Sequence, residues 1–207
     1  MERLETASLC DAMHALGYKP TILAKEFKSN MPSTVVGRAR TIRLKKKEHD
    51  DNPEQLHDGL RFMDTIKKDD FVIIADGFEA HAYWGELMST VASRNGAVGA
   101  VIDGCTRDKH ATIELGFPVF CKDWYGQDIR GYGIVQGVDC SVVISGVCIS
   151  PGDLVCADGD GVLVIPRDKE DEILERYHEI RKNEANVKSL VRKNKKAREL
   201  LDECGEF

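Results

Sequence analysis

The spacing of apolar residues changes along the chain, and each change predicts an element. Leu9, Met13 and Leu16 recur at helical spacing, with Thr6 placed to cap the helix and Gly17 to end it. Residues 37–44 alternate apolar and polar, as a half-buried strand does, after a lead-in at 32–36. The polar stretch 45–55 reads as a loop with a solvated lysine run, from which Asp51 and Asn52 can alternatively reach a neighbouring site. Leu60, Met63 and Ile66 predict a helix over 56–66 with those three on one side. Residues 71–75 are continuously apolar and close on Asp76-Gly77, the pattern of a strand buried on both faces. A helix over 85–95 follows, with Leu87, Val91 and Ala92 inward, and the chain returns as a strand at 100–104. That order makes a βαβ unit. A short helix at 108–115, ended by Gly116, leads to a strand at 117–120.

The second half reads differently. Residues 132–149 alternate around Gly137 and Gly146, predicting a smaller antiparallel sheet. After a turn at Pro151-Gly152-Asp153, residues 154–165 form two apolar runs around an Asp-Gly-rich turn, a hairpin pattern. Asp158 and Asp160 invite a calcium-loop reading, but the full EF-hand ligand pattern is absent, so turn chemistry explains them better. Pro166 introduces a long final helix, with Asp168 as cap and Asp171 three residues on. Ile173, Tyr177, Ile180, Val187, Leu190, Val191, Leu200 and Leu201 fit its spacing. Such a charged helix either packs on a neighbouring subunit or hangs as a loose tail.

Composition narrows the classes. At 207 residues, 42% hydrophobic and 31% charged, the chain has the make-up of a soluble globular protein. A formal net charge of −6 argues against nucleic acid as the main partner. The start, Met1-Glu2-Arg3-Leu4-Glu5, is charged and lacks an apolar signal core, and no apolar run approaches a bilayer span. A cytoplasmic location and no membrane partner are therefore expected. The 7 cysteines are scattered without a CxxC pair, so they read as reduced, mostly buried residues and not as a zinc site.

The candidate chemistry lies at Gly85-Glu86-Leu87-Met88 and, one strand later, Arg107-Asp108. The first amides of a helix lack internal partners and favour anions. Arg107 offers a planar fork for a carboxylate, and Asp108 a hard oxygen ligand for a cation such as Mg²⁺. Together they can hold a 2-oxo acid and polarise its carbonyl. On spacing alone, Gly85 also reads as a plain turn residue, and Arg107-Asp108 as a surface pair capping the next helix. The βαβ unit favours the site, because ligands gather at the carboxyl ends of parallel strands.

Residues 83–87 (Tyr-Trp-Gly-Glu-Leu), 99–104, Arg107-Asp108 and 115–120 resemble the RraA-like family. The likeness extends to Asp11-Ala12, Gly37-Arg38-Ala39, Thr41, Pro151-Gly152-Asp153 and Asp160-Gly161-Val162, covering the chain to about Arg167. That family includes metal-dependent pyruvate aldolases of the 4-hydroxy-4-methyl-2-oxoglutarate/4-carboxy-4-hydroxy-2-oxoadipate type and proteins named as regulators of ribonuclease E. The resemblance implies an α/β fold, an α-β-β-α sandwich of the swivelling-domain kind, with the long C-terminal helix added. It implies a domain over 1–167 with a helical extension over 168–207. It further implies a homotrimer or a hexamer with its cleft between subunits. By the same resemblance, Asp108 is the ligand of Mg²⁺ or Mn²⁺, Arg107 binds the pyruvyl carboxylate, and residues 85–88 give backbone contacts to substrate.

The aldolases usually carry Asp or Glu three residues after the metal-binding Asp, where this chain has Ala111. His110 and Glu114 are nearby substitutes. The expected chemistry is retro-aldol cleavage releasing pyruvate, or decarboxylation of oxaloacetate, with Arg107, Asp108 and Glu86 as the catalytic set. The general base stays open among a metal-bound water, His110 and Glu86. Two alternatives accompany this reading: a regulatory protein that docks on a ribonuclease or helicase, and a lyase or dehydratase of a sugar acid. Methyltransfer is not indicated, because no glycine-rich nucleotide-binding turn occurs.

Overall fold

A computed structural model describes residues 4–193 and 195–204, the last three as backbone only. Helix α1 (Thr6–Ala15) precedes the short strand β1 (Lys28–Ser29) and the long strand β2 (Val35–Lys46). A 3₁₀ turn at Pro53–His57 runs into α2 (Asp58–Met63). Then come β3 (Asp70–Ala75), α3 (Glu86–Asn95), β4 (Gly99–Thr106), α4 (Lys109–Glu114) and β5 (Val119–Trp124). Strands β6 (Gly133–Val138), β7 (Val142–Ile144), β8 (Val147–Ile149), β9 (Leu154–Ala157) and β10 (Val162–Ile165) follow, and α5 (Glu170–Arg192) and α6 (Ala197–Cys204) close the chain.

Strands β2, β3, β4 and β5 are parallel neighbours and form the centre of the main sheet. The far edge of β2 is shared, with β9 pairing its first half and β6 its second, both antiparallel. The sheet therefore curls and folds the β9–β10 hairpin back over its own face. Alternation in β3 sorts the core. Val72 and Ile74 pack with Phe62, Met63 and Ala92 of the helices. Phe71, Ile73 and Ala75 pack with Val155, Val162 and Val164 of the hairpin. The hairpin's other residues, Leu154, Cys156, Leu163 and Ile165, meet Leu9 and Met13 of α1 and Ile173 and Tyr177 of α5. The order helix, sheet, sheet, helix is the expected α-β-β-α sandwich.

Several local expectations change. Thr6 does not cap α1. Its amide and hydroxyl instead donate to Asp158 Oδ2 and Oδ1 at 2.9 and 2.6 Å, so a carboxylate of the hairpin turn caps the helix. Asp158 Oδ1 also accepts the Asp160 amide, as turn chemistry requires. Leu16 is exposed. Lys45 and Lys46 belong to β2, because β6 extends the pairing through Lys46. Asp51 pairs with Lys45 at 2.7 Å. Strand β6 joins the main sheet, and β7 and β8 alone make the small antiparallel sheet among the described residues.

Asp168 sits in a 3₁₀ turn and α5 starts two residues after it, so it is not the helix cap. The final helix is two helices. The cation-rich stretch Arg192-Lys193, Lys195-Lys196 disfavours continuation through like-charge repulsion, and the Lys196 amide donates to Glu199 at 3.0 Å where α6 begins. Leu60 and Leu87 point outward, with 54% and 79% of their surface exposed. Gly59, Phe62 and Met63 of α2, and Ser89 and Ala92 of α3, are buried instead. No helix among the described residues is long and apolar enough to cross a membrane.

Candidate active-site cleft

Trp84 sets the position of the cleft. It is fully buried and forms a parallel bridge to Thr106 at the end of β4. Its carbonyl accepts the Thr106 hydroxyl at 2.9 Å and the Arg107 amide at 3.1 Å. Its indole N–H donates to Ser89 Oγ at 2.8 Å, inside α3. The start of α3 is thereby locked against the residues that follow β4, both at the carboxyl ends of parallel strands. Helix α3 ends at Gly96, whose φ of +102° suits glycine.

The expected site residues meet there. Gly85, Glu86, Leu87, Met88, Arg107 and Asp108 line one cavity of about 280 Å³. Asp108 adopts a left-handed backbone conformation, φ 58° and ψ 42°, which turns its carboxylate back to α3. Oδ2 accepts the Glu86 amide at 3.1 Å and lies 3.5 Å from Arg107 Nε. The first free amide of the helix is therefore taken by Asp108. Those of Leu87 and Met88 have no acceptor among the described residues.

Sequence reading missed the rest of the lining. Asp128 Oδ2 lies 3.1 Å from Arg107 Nη1, and Arg130 Nε lies 3.6 Å from Asp128 Oδ1. These residues arrive on the connection between β5 and β6, placed by a bridge from Ala82 to Asp128. His57 and Leu60 come from the 3₁₀ turn and α2. The leucines expected inside, Leu60 and Leu87, form cleft wall instead. His110 and Glu114 are exposed on α4 and lie outside the lining, as does Ala111. Neither His110 nor Glu114 supplies the missing carboxylate within this cavity.

A divalent cation can be tested against these donors. Among the described residues, no group of three or more His, Cys, Asp or Glu side chains is arranged to hold a metal. Mg²⁺ does not need one. It keeps several waters and binds through one or two carboxylates plus substrate oxygens. Asp108 Oδ1 has no partner among the described residues, so this one carboxylate, with water and substrate oxygens, fits a cation of that kind, whereas both Asp128 oxygens are engaged by Arg107 and Arg130.

The structure thus defines an α/β sandwich with an arginine–carboxylate cleft at the ends of its parallel strands. A family model described as RraA-like: Aldolase/RraA matches residues 6–164. The chain belongs to the RraA-like family. It is 30% identical over 188 residues to Protein DlpA of Legionella pneumophila, an alignment covering 90% of this chain and only 30% of DlpA. It is 32% identical over 174 residues to a Halalkalibacterium halodurans protein named "Putative 4-hydroxy-4-methyl-2-oxoglutarate aldolase", covering 84% of this chain and 78% of that one. The crystal structure of Streptomyces coelicolor RraAS2, described as an unusual member of the RNase ES inhibitor RraA protein family, superposes with a TM-score of 0.79. That match is 26% identical and covers 89% of this chain and 91% of RraAS2.

Proposed function

We propose that this chain is a divalent-cation-dependent carbon–carbon lyase acting on a 2-oxo acid, by retro-aldol cleavage that releases pyruvate or by decarboxylation of oxaloacetate. The observation that carries the reading is the convergence of Arg107, Asp108 and the Leu87 and Met88 amides on one cavity. The Arg107 guanidinium binds the substrate carboxylate in competition with Asp128. The α3 amides stabilise negative charge as the bond breaks. Asp108 would hold Mg²⁺ or Mn²⁺, which would supply Lewis acidity toward the 2-oxo group. Glu86, exposed in the first turn of α3, orients water or substrate at the rim. The name of the Halalkalibacterium relative supports the same class.

Pyruvate release in Mg²⁺ or Mn²⁺, followed across 4-hydroxy-2-oxo acids and oxaloacetate, tests this. Asp108→Asn should abolish the cation-dependent rate, and equal turnover by that variant would rule Asp108 out as the ligand.

A second reading has its own observation. Leu60 and Leu87 are exposed together at the cleft rim, as a docking surface would be. On this reading the chain is a regulator that docks on a ribonuclease or helicase, in line with the inhibitor family to which RraAS2 is assigned. Within the lyase reading, the same leucines are covered by a neighbouring copy in a homotrimer or hexamer. Sedimentation that finds an active monomer would exclude the assembled form.

A further inference from the structure

We propose that His57, oriented by Glu54, accepts the substrate hydroxyl proton during carbon–carbon cleavage, an inference that rests on the lyase reading above. The pair is built by local geometry. Asn52 starts the 3₁₀ turn, its side chain accepting the Glu54 amide at 3.0 Å, and Pro53 occupies the first position of the turn. A 3₁₀ helix repeats every three residues, so positions 54 and 57 stack on one side. His57 Nδ1 accordingly lies 2.9 Å from Glu54 Oε2.

That contact fixes the tautomer. An ionised carboxylate only accepts, so Nδ1 carries the hydrogen and the neutral ring presents its lone pair at Nε2. His57 lines the same cavity as Arg107 and Asp108. The other bases there are less suited. Asp108 Oδ2 is engaged by the Glu86 amide and Arg107 while its Oδ1 is given to the cation in the lyase reading, and Asp128 is engaged by Arg107 and Arg130. The Glu86 side chain has no orienting partner among the described residues.

The step balances without a co-reactant. Nε2 takes the proton from the C4 hydroxyl of a 4-hydroxy-2-oxo acid, and the O–H electron pair becomes the new C4 carbonyl. The C3–C4 bond breaks, and its electrons form the pyruvate enolate. The enolate takes its C3 proton from water, and Nε2 returns its own proton to water, giving pyruvate and one carbonyl product. Decarboxylation of oxaloacetate reaches the same enolate without removing a hydroxyl proton.

The two reactions therefore separate the role. In His57→Gln, aldol cleavage should fall about 100-fold or more in kcat, the usual worth of a positioned base. Oxaloacetate decarboxylation should fall far less, and inhibition by oxalate should persist. Glu54→Gln should lower kcat for cleavage and leave oxalate inhibition unchanged, marking it as a positioning residue. Equal losses in both reactions, or cleavage at the wild-type rate in His57→Gln, would overturn the assignment and leave the lyase reading standing. So would a wild-type protein that decarboxylates oxaloacetate but cleaves no 4-hydroxy-2-oxo acid. A wild type inactive in both reactions overturns the lyase reading and this assignment together.

Discussion

The Asp108 carboxylate and Gly85 occupy adjoining space: a Cβ on residue 85 would stand 2.4 Å from Oδ2. The backbone of Gly85 is extended, at φ −170°, a conformation open to any residue. The glycine is needed there for close approach, and it lets the cleft carboxylate reach the Glu86 amide. Gly85→Ala should push Asp108 off the helix end while Trp84 keeps the fold. We expect Mg²⁺ or oxalate affinity to drop roughly 10-fold or more, the scale of a lost supporting contact. Calorimetry measures it, and unchanged binding would show that Asp108 needs no such seat.

Arg107 is placed as a fork between two carboxylates, 3.1 Å from Asp128 and 3.5 Å from Asp108. Lysine would deliver one point charge to the same place. Arg107→Lys should weaken oxalate inhibition by roughly 10-fold, about 1.4 kcal/mol, with little change in thermal midpoint. Oxalate that inhibits both forms equally would remove Arg107 from carboxylate binding.

The sequence discloses the elements better than it discloses which wall an apolar residue faces. The run at 71–75 and the alternation at 37–44 sit in β3 and β2, because burial on both faces or on one leaves a direct mark on spacing. Leu60 and Leu87 carry the same apolar signal as core residues, and only the cleft between α2 and α3 turns them outward. Arg107 and Asp108 were legible because they follow a strand within a βαβ unit. Asp128, Arg130 and His57 were not, since long-range pairing brings them to the cleft and no local spacing records it.

Asp158 supplies another such contact. Its two oxygens hold the amide and hydroxyl of Thr6 across 152 positions of chain. Asp158→Ala should cost about 1–2 kcal/mol, the worth of a strong helix cap. The urea midpoint should fall at constant slope, while oxalate binding in the distant cleft stays as it was. An unchanged midpoint would mean that α1 is held by its packing on the hairpin and α5 without the cap.

Burial pushes the Cys121 and Cys156 thiols up to about 12, against 9.0 for an unburied thiol. Both values lie above the unfolded one, so the folded chain keeps protons that the unfolded chain releases. The stability attached to each thiol is complete below about pH 9 and is lost as the pH rises toward 12. At about pH 10.5 the loss should be about 2 kcal/mol per thiol. Urea midpoints at pH 8 and about 10.5 read it, and Cys121→Ala with Cys156→Ala should flatten the dependence. The slope will not vanish, because burial raises the Tyr83 hydroxyl in the same direction. An equally steep slope in the double variant would place the alkaline sensitivity elsewhere.

The shared edge of β2 also sets a timetable. Its inner neighbour, β3, begins at Asp70, but the strands that complete its outer edge begin at Gly133 and Leu154. During synthesis the ribosome must deliver the chain through β9 before that edge is closed. Until then β2 is an open template for any passing strand. The charges set along it, Arg38, Arg40, Arg43, Lys45 and Lys46, are then a safeguard for the nascent chain, repelling a second copy of the same strand while the rest of the sheet is still being made.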